Sequence, residues 1–170
     1  MPTTCDSKKF RSVMGRFATG VTIVSYERDG EPAGMTANAF LSVSLTPQLI
    51  LISVRSESRF CHAVKVGTRF CVNFLRKEQE VVSGHFGGRP HEGLDVPFQY
   101  EQGVPLIEGS LAHIVVRTHA IHEAGDHQLY VAEVEHIRED ETAEPLLFYA
   151  GKYRQMHVEE ALEAALSAAR

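Results

Sequence analysis

Apolar positions along this chain begin with helical spacing and then change to the shorter period of strands. Phe10, Val13, Met14 and Phe17 fall at i, i+3, i+4 and i+7, which predicts a first helix capped by Ser7 and ended by Gly20. Residues 21–26 and 33–45 are β-rich runs around Arg28-Asp29-Gly30-Glu31-Pro32, the punctuation of a hairpin. From 49 to 54 the run is continuously apolar, which predicts a strand covered on both faces and central to the fold. Residues 58–66 read as a short helix, 69–75 as a strand with Phe70, Val72 and Phe74 on one face, and 77–86 as another short helix ending at Gly87-Gly88. The stretch 88–102, with Pro90, Gly93 and Pro97, reads as loop. Strands follow at 110–121 and 127–137, joined by His122-Glu123-Ala124-Gly125-Asp126, and a last one at 146–149. Val158, Ala161, Leu162, Ala165, Leu166 and Ala169 mark a C-terminal helix over 158–170, whose stripe packs on its own barrel or across a homodimer. Many short strands with helices inserted between them predict a closed antiparallel barrel rather than a doubly wound sheet.

Composition narrows the function classes. The 170 residues, 44% apolar and 23% charged, suit one domain over 1–170 with a full core. A net charge of −5 without a block of like charges gives no footprint for nucleic acid or an acidic membrane surface. The start Met1-Pro2-Thr3-Thr4-Cys5-Asp6 has neither the basic residues nor the apolar stretch of a signal peptide, and no segment approaches roughly 18 uninterrupted apolar residues, so a cytoplasmic protein is expected. Cys5, Cys61 and Cys71 form no Cys-x-x-Cys pair and are read as reduced thiols.

Several chemistries lack their residues. No Gly-x-Gly-x-x-Gly joins a strand to a helix, which argues against a Rossmann domain. Ser25, Ser53 and Cys71 lie in strand-like runs without a nucleophile elbow. His119 and His122 would face opposite sides of a strand, so no metal site is expected. By contrast, Gly34-Met35-Thr36-Ala37-Asn38-Ala39-Phe40-Leu41-Ser42-Val43-Ser44-Leu45-Thr46-Pro47 sets hydroxyls, an amide and bare backbone beside the apolar run at 49–54. That is what a planar heterocycle with a polar edge needs to lie flat against a sheet, and it points to a flavin. His127, after Gly125-Asp126, sits at a hairpin turn from which an imidazole reaches a barrel mouth.

Thr19-Gly20-Val21-Thr22-Ile23-Val24, Gly34-Met35-Thr36-Ala37-Asn38-Ala39-Phe40, Ser42-Val43-Ser44-Leu45-Thr46-Pro47, Arg69-Phe70-Cys71-Val72-Asn73 and Gly125-Asp126-His127 occur in that order. With these motifs, the chain resembles the short-chain flavin reductases, the reductase components of two-component flavin-dependent monooxygenases, from about Phe10 to Tyr153. The resemblance implies a mainly β fold, the antiparallel flavin-binding split β-barrel with Greek key connections and flanking α-helices, assembled as a homodimer. It implies reduction of FMN or FAD by NADH or NADPH, with reduced flavin passed to a partner monooxygenase.

By the same resemblance, Thr36, Ala37, Asn38 and Ser42 line the flavin ring edge and ribityl chain, and Ser53 and Val54 add backbone groups. Ser58 and Arg59 match the family's phosphate contacts, and Phe86 and Arg89 stand where it places a further flavin contact, although Gly84-His85-Phe86-Gly87-Gly88-Arg89 departs from the usual Phe-Ala-Gly pattern. His127 and Tyr153 are implied on the nicotinamide side. No catalytic acid or base is required, because the hydride passes between cofactors. Two rivals remain on the sequence: another split-barrel flavin oxidase, which would need a second basic phosphate pocket, and a non-catalytic flavin-binding module.

Overall fold

A computed structural model describes residues 6–140 and 142–156. In chain order its elements are α1 (Ser7–Met14), β1 (Thr19–Gly20), β2 (Thr22–Arg28), β3 (Glu31–Ala37), β4 (Phe40–Leu45), β5 (Gln48–Arg55), α2 (Arg59–Ala63), β6 (Arg69–Phe74), a 3-10 turn (Lys77–Gln79), α3 (Glu80–Phe86), β7 (Phe98–Glu101), β8 (Val104–Ile107), β9 (Ala112–Ala124), β10 (His127–Glu139), β11 (Leu147–Tyr149) and β12 (Lys152–Arg154). The predicted helix at 158–170 lies outside the described residues.

Seven strands form one antiparallel sheet in the order β3-β2-β6-β9-β10-β5-β4. The hairpin of β2 and β3 turns at Asp29-Gly30, where φ values of 55° and 81° meet the demand of a tight two-residue turn for positive φ. The two outermost strands, β3 and β4, are joined through Asn38-Ala39, yet no ladder pairs them. The Ser53 N–H of β5 donates to the Ala39 carbonyl at 3.1 Å, which continues the β4–β5 ladder one step beyond Phe40 and Ile52 and leaves the β3 side of the junction unpaired. The barrel is therefore mainly β and antiparallel as expected but not closed, and the seam between its edges stays open.

Where the core lies reverses one expectation. β5 sits beside the edge strand β4 rather than at the centre, and it alternates: Ile50, Ile52 and Val54 are buried while Leu49, Leu51 and Ser53 are half-exposed. β6, third in the order and flanked by β2 and β9, is the strand covered on both faces. On one face Phe70 and Val72 join Phe60, Tyr26 and Tyr130, with the Phe60 ring edge-on to the other three aromatic rings at centroid distances of 5.0–5.3 Å. On the other, the β7–β8 hairpin lays Val104 and Leu106 against Cys71. Asn73, fully buried there, donates to the Ile23 carbonyl at 2.7 Å and accepts from the Ile107 N–H at 2.8 Å, so its burial leaves no polar group stranded.

Element ends also differ from the reading of the sequence. Asp6 rather than Ser7 caps α1, accepting the Lys8 N–H at 3.1 Å, and the helix stops at Gly15, well before Gly20. The two short helices are trimmed to α2 and α3; β7 occupies the end of the expected loop, and β1, β8 and β12 were not foreseen. β1, β11 and β12 form a small separate sheet. None of the described helices is long and apolar enough to cross a membrane.

Candidate functional site

An edge strand leaves every second peptide group without a partner strand, so the open seam supplies backbone donors and acceptors beside small side chains. Residues 35–39 form one wall of a cavity of about 320 Å³ there. Ser53, Val54 and Arg55 of β5, Ser58 ahead of α2, and His127 at the start of β10 form the other. The register places His127 directly opposite Arg55 across β10 and β5, and the Ser56 N–H holds the Asp126 carbonyl at 3.0 Å. Asp126 Oδ1 lies 2.7 Å from His127 Nδ1, which fixes the imidazole over the cavity. This hydrogen bond, and then the charge of the imidazole when protonated, hold the exposed Asp126 carboxyl below its ordinary pKa.

Thr36 lines the cavity while its hydroxyl donates to the Ser83 carbonyl at 2.7 Å, tying β3 to α3. The Ala37 carbonyl accepts the Thr22 hydroxyl at 2.7 Å. Ser58 acts as the N-cap of α2, accepting from the Phe60 N–H at 3.2 Å, and its hydroxyl meets the Met35 sulfur at 3.6 Å. Val54 is buried, and the Ser53 N–H already serves Ala39, so what Ser53 brings to the cavity is its hydroxyl. Neither that hydroxyl nor the Asn38 carboxamide has a hydrogen-bond partner among the described residues.

A second cavity of about 580 Å³ shares Met35 and Ser58 with the first and continues along β3 toward Arg59, Arg28 and Phe86. Phe86 packs closely on β3 at Gly34: a Cβ there would meet the ring at 3.1 Å and Ile23 at 3.2 Å. Both volumes fall in the range of small-molecule sites, roughly 300–1,000 Å³. No Asp or Glu lines either cavity, although the chain is acidic overall, and neither Arg55 nor Arg59 is in a salt bridge among the described residues.

Nine of the twelve residues singled out in the sequence, Thr36, Ala37, Asn38, Ser53, Val54, Ser58, Arg59, Phe86 and His127, thus line one continuous cleft. Three do not. Ser42 is exposed on β4 opposite Ile50, just before a register shift between Ser42 and Ser44, and lines neither cavity. Arg89 lies past the end of α3, its N–H on the Gly84 carbonyl at 3.1 Å. Tyr153 packs on Phe148 in the cluster that also holds Val82 and Phe86, with its hydroxyl 2.8 Å from that of Ser83, and lines neither cavity. Met35, Arg55 and Arg28 line the cleft and were not singled out; Arg55, a charge directly after the apolar run at 49–54, is the one the sequence signalled.

Residues 14–157 match the family described as flavin reductase like domain. The chain belongs to this family. Among flavin reductase relatives, an NADH-dependent flavin reductase from a Rhodococcus species is 42% identical over 151 residues, 87% of this chain and 85% of that protein. The reductase subunit HsaB of a flavin-dependent monooxygenase from Mycobacterium tuberculosis is 37% identical over 163 residues, 94% and 87% of the two chains. The structure of flavin reductase PheA2 in its native state matches with a TM-score of 0.84 at 39% identity, covering 91% of this chain and 100% of that one. Among the described residues, the Asn38 carboxamide and the Ser53 hydroxyl are without a hydrogen-bond partner and Arg59 is without a salt bridge, so the cleft carries open polar groups and positive charge.

Proposed function

We propose that the chain is a reductase that takes electrons from NADH and passes reduced flavin, FMN or FAD, to a separate flavin-dependent monooxygenase. The observation that carries this reading is the meeting of Thr36, Ala37 and Asn38 with Ser53, Ser58 and His127 around one cavity that holds no carboxylate. When bound, the cofactors supply the chemistry, a hydride passing from the reduced nicotinamide to the flavin.

The protein's part is placement. Gly34 and Ala37 keep the wall of β3 thin, so the backbone of the seam comes within hydrogen-bond reach of a flat ligand. Asn38 and Ser53 meet the ring edge, Arg59 faces the flavin phosphate, and His127, held by Asp126, orients the nicotinamide. The names of the relatives support NADH as the donor and a monooxygenase as the recipient.

The same reading includes one domain and a homodimer in the cytoplasm. Leu41, Val43 and Leu45 of β4, together with Phe10, Val13, Met14 and Phe17 around α1, are about half exposed or more, an apolar surface that a second copy would cover. Cys61 and Cys71 are free thiols, in keeping with a reducing compartment. The test is NADH consumption with added FMN or FAD: turnover far above the protein-free rate is expected. Flavin binding with no such turnover would make the chain a binding module instead.

A further inference from the structure

Among the described residues lining the cavity at the seam, Arg55 is the one Lys or Arg, and placing the flavin there leaves it without a task. Register fixes where it stands: Arg55 is directly opposite His127, and opposite residues of antiparallel strands share one face of the sheet with Cα atoms about 5 Å apart. Ser53, two residues earlier on β5, is on that face too. The main chain of Arg55 is occupied, its carbonyl accepting the Ser58 N–H at 2.9 Å and the Cys61 thiol at 3.3 Å. Its exposed side chain is in no salt bridge among the described residues. The Asp126 carboxyl, held below its ordinary pKa first by the hydrogen bond from His127, also feels the Arg55 charge, which puts the guanidinium in the neighbourhood of the imidazole.

We propose that Arg55 is a specificity-determining residue for the hydride donor, its guanidinium pairing with the diphosphate of NADH while His127 orients the nicotinamide ring. The inference rests on the reductase reading, which brings the donor to His127. In NADH a single ribose separates the ring from the diphosphate, and an arginine whose Cα lies about 5 Å from that of His127 has the reach to span that interval. The planar guanidinium offers a fork of N–H donors that matches two phosphate oxygens, and it keeps its charge throughout the working pH range. A donor with the same ring and no phosphate gains nothing from it. The flavin phosphate is left to Arg59, which lines the neighbouring cavity and not this one. Because Arg55 is exposed, added salt weakens the pairing.

The experiment compares NADH with N-benzyl dihydronicotinamide, which has the ring and no phosphate, as donors to FMN in wild type, Arg55→Gln and Arg55→Lys. It also titrates NAD+ and FMN into each protein by calorimetry, NAD+ with FMN present. Arg55→Gln is expected to lower the preference for NADH over the neutral donor about tenfold through KM, the size of one charge-assisted contact, and to weaken NAD+ binding equally. Arg55→Lys, with the charge but not the fork, falls between. Salt raises the KM for NADH in wild type and does so less in Arg55→Gln. A donor preference and an NAD+ affinity that survive in an Arg55→Gln protein with a native circular dichroism spectrum overturn the proposal. So does an FMN Kd that rises as much as the KM for NADH, which would give the charge to the flavin phosphate instead. Wild-type turnover tests the reductase reading by itself: its failure with both donors refutes that reading, while NAD+ binding that depends on Arg55 still upholds the assignment of the residue.

Discussion

The hydroxyl of Thr36 donates to the carbonyl of Ser83 over 2.7 Å, and by that bond the strand walling the cleft is fastened to the helix that carries Phe86. Thr36 is thereby both a wall of the site and a clasp of the fold. Replacing it with Val removes the donor while keeping the shape, and one net hydrogen bond is worth about 0.5–1.5 kcal/mol. The expected result is a Tm lowered by about 2–4 °C per kcal/mol for a chain of this size, accompanied by weaker flavin binding. Thr36→Ser, which keeps the donor, restores both. An unchanged Tm in Thr36→Val would show that the clasp does not hold.

Tyr153 meets the side chain of the same residue, its hydroxyl 2.8 Å from the Ser83 hydroxyl. Tyr153→Phe is expected to lower Tm by a similar amount and to leave the KM for NADH unchanged. A raised KM at constant Tm would return the phenol to the nicotinamide, where the family resemblance puts it.

How much of this was legible in the sequence depends on distance along the chain. The shelf was visible because Thr36, Ala37 and Asn38 are contiguous and their small polar character is local. The Ser83 partner, 47 residues from Thr36 and 70 from Tyr153, left no local trace. Hydropathy misplaced the strand that is covered on both faces for a related reason. The unbroken run at 49–54 reads as more deeply buried than Phe70-Cys71-Val72-Asn73-Phe74, but burial is decided by what covers each face. β8 covers the second face of β6 and accommodates Asn73 through Ile107, whereas the described residues leave Leu49 and Leu51 of β5 half-exposed. β8 itself was missed because it is four residues long and contains Pro105. The open seam could not be read at all, since strand patterns alone do not say whether the two edges of a sheet meet.

His127→Ala is expected to raise the KM for NADH by about tenfold, one hydrogen bond's worth, with the flavin Kd nearly unchanged. Equal losses in both would contradict its assignment to the donor. Because its folded pKa is depressed, the Asp126 carboxylate that holds the ring keeps its charge through the neutral range, and the tether is lost only as pH falls below the usual carboxylate pKa.

His113 supplies a pH dependence away from the cleft. Burial lowers its pKa despite its hydrogen bond to the Ile107 carbonyl at 2.8 Å, so the folded protein favours the neutral ring. The unfolded chain then binds the extra proton first, and stability is lost as pH falls from above about 6.5 toward the lower folded value. Glu135 is also charge-stabilised in the fold: burial opposes its charge, but hydrogen bonds from Arg69 and Arg117 outweigh it and lower its pKa, so its contribution fades only in the more acidic carboxylate range. Denaturant midpoints measured from about pH 7.5 to 5 should therefore fall for wild type and fall less for His113→Gln. Parallel curves would remove His113 as the cause.

The most direct measurement on the cleft is anaerobic bleaching of FMN by NADH, run with wild type and Ala37→Leu side by side after both have been shown to have the same circular dichroism spectrum. Ala37 lines the cavity and packs against the core beneath it, so a leucine there adds bulk at the boundary between the two. Wild type is predicted to bleach the flavin at a rate proportional to enzyme, and Ala37→Leu at the protein-free rate. Equal, enzyme-proportional bleaching by the two proteins would contradict the placement of flavin reduction at the open seam.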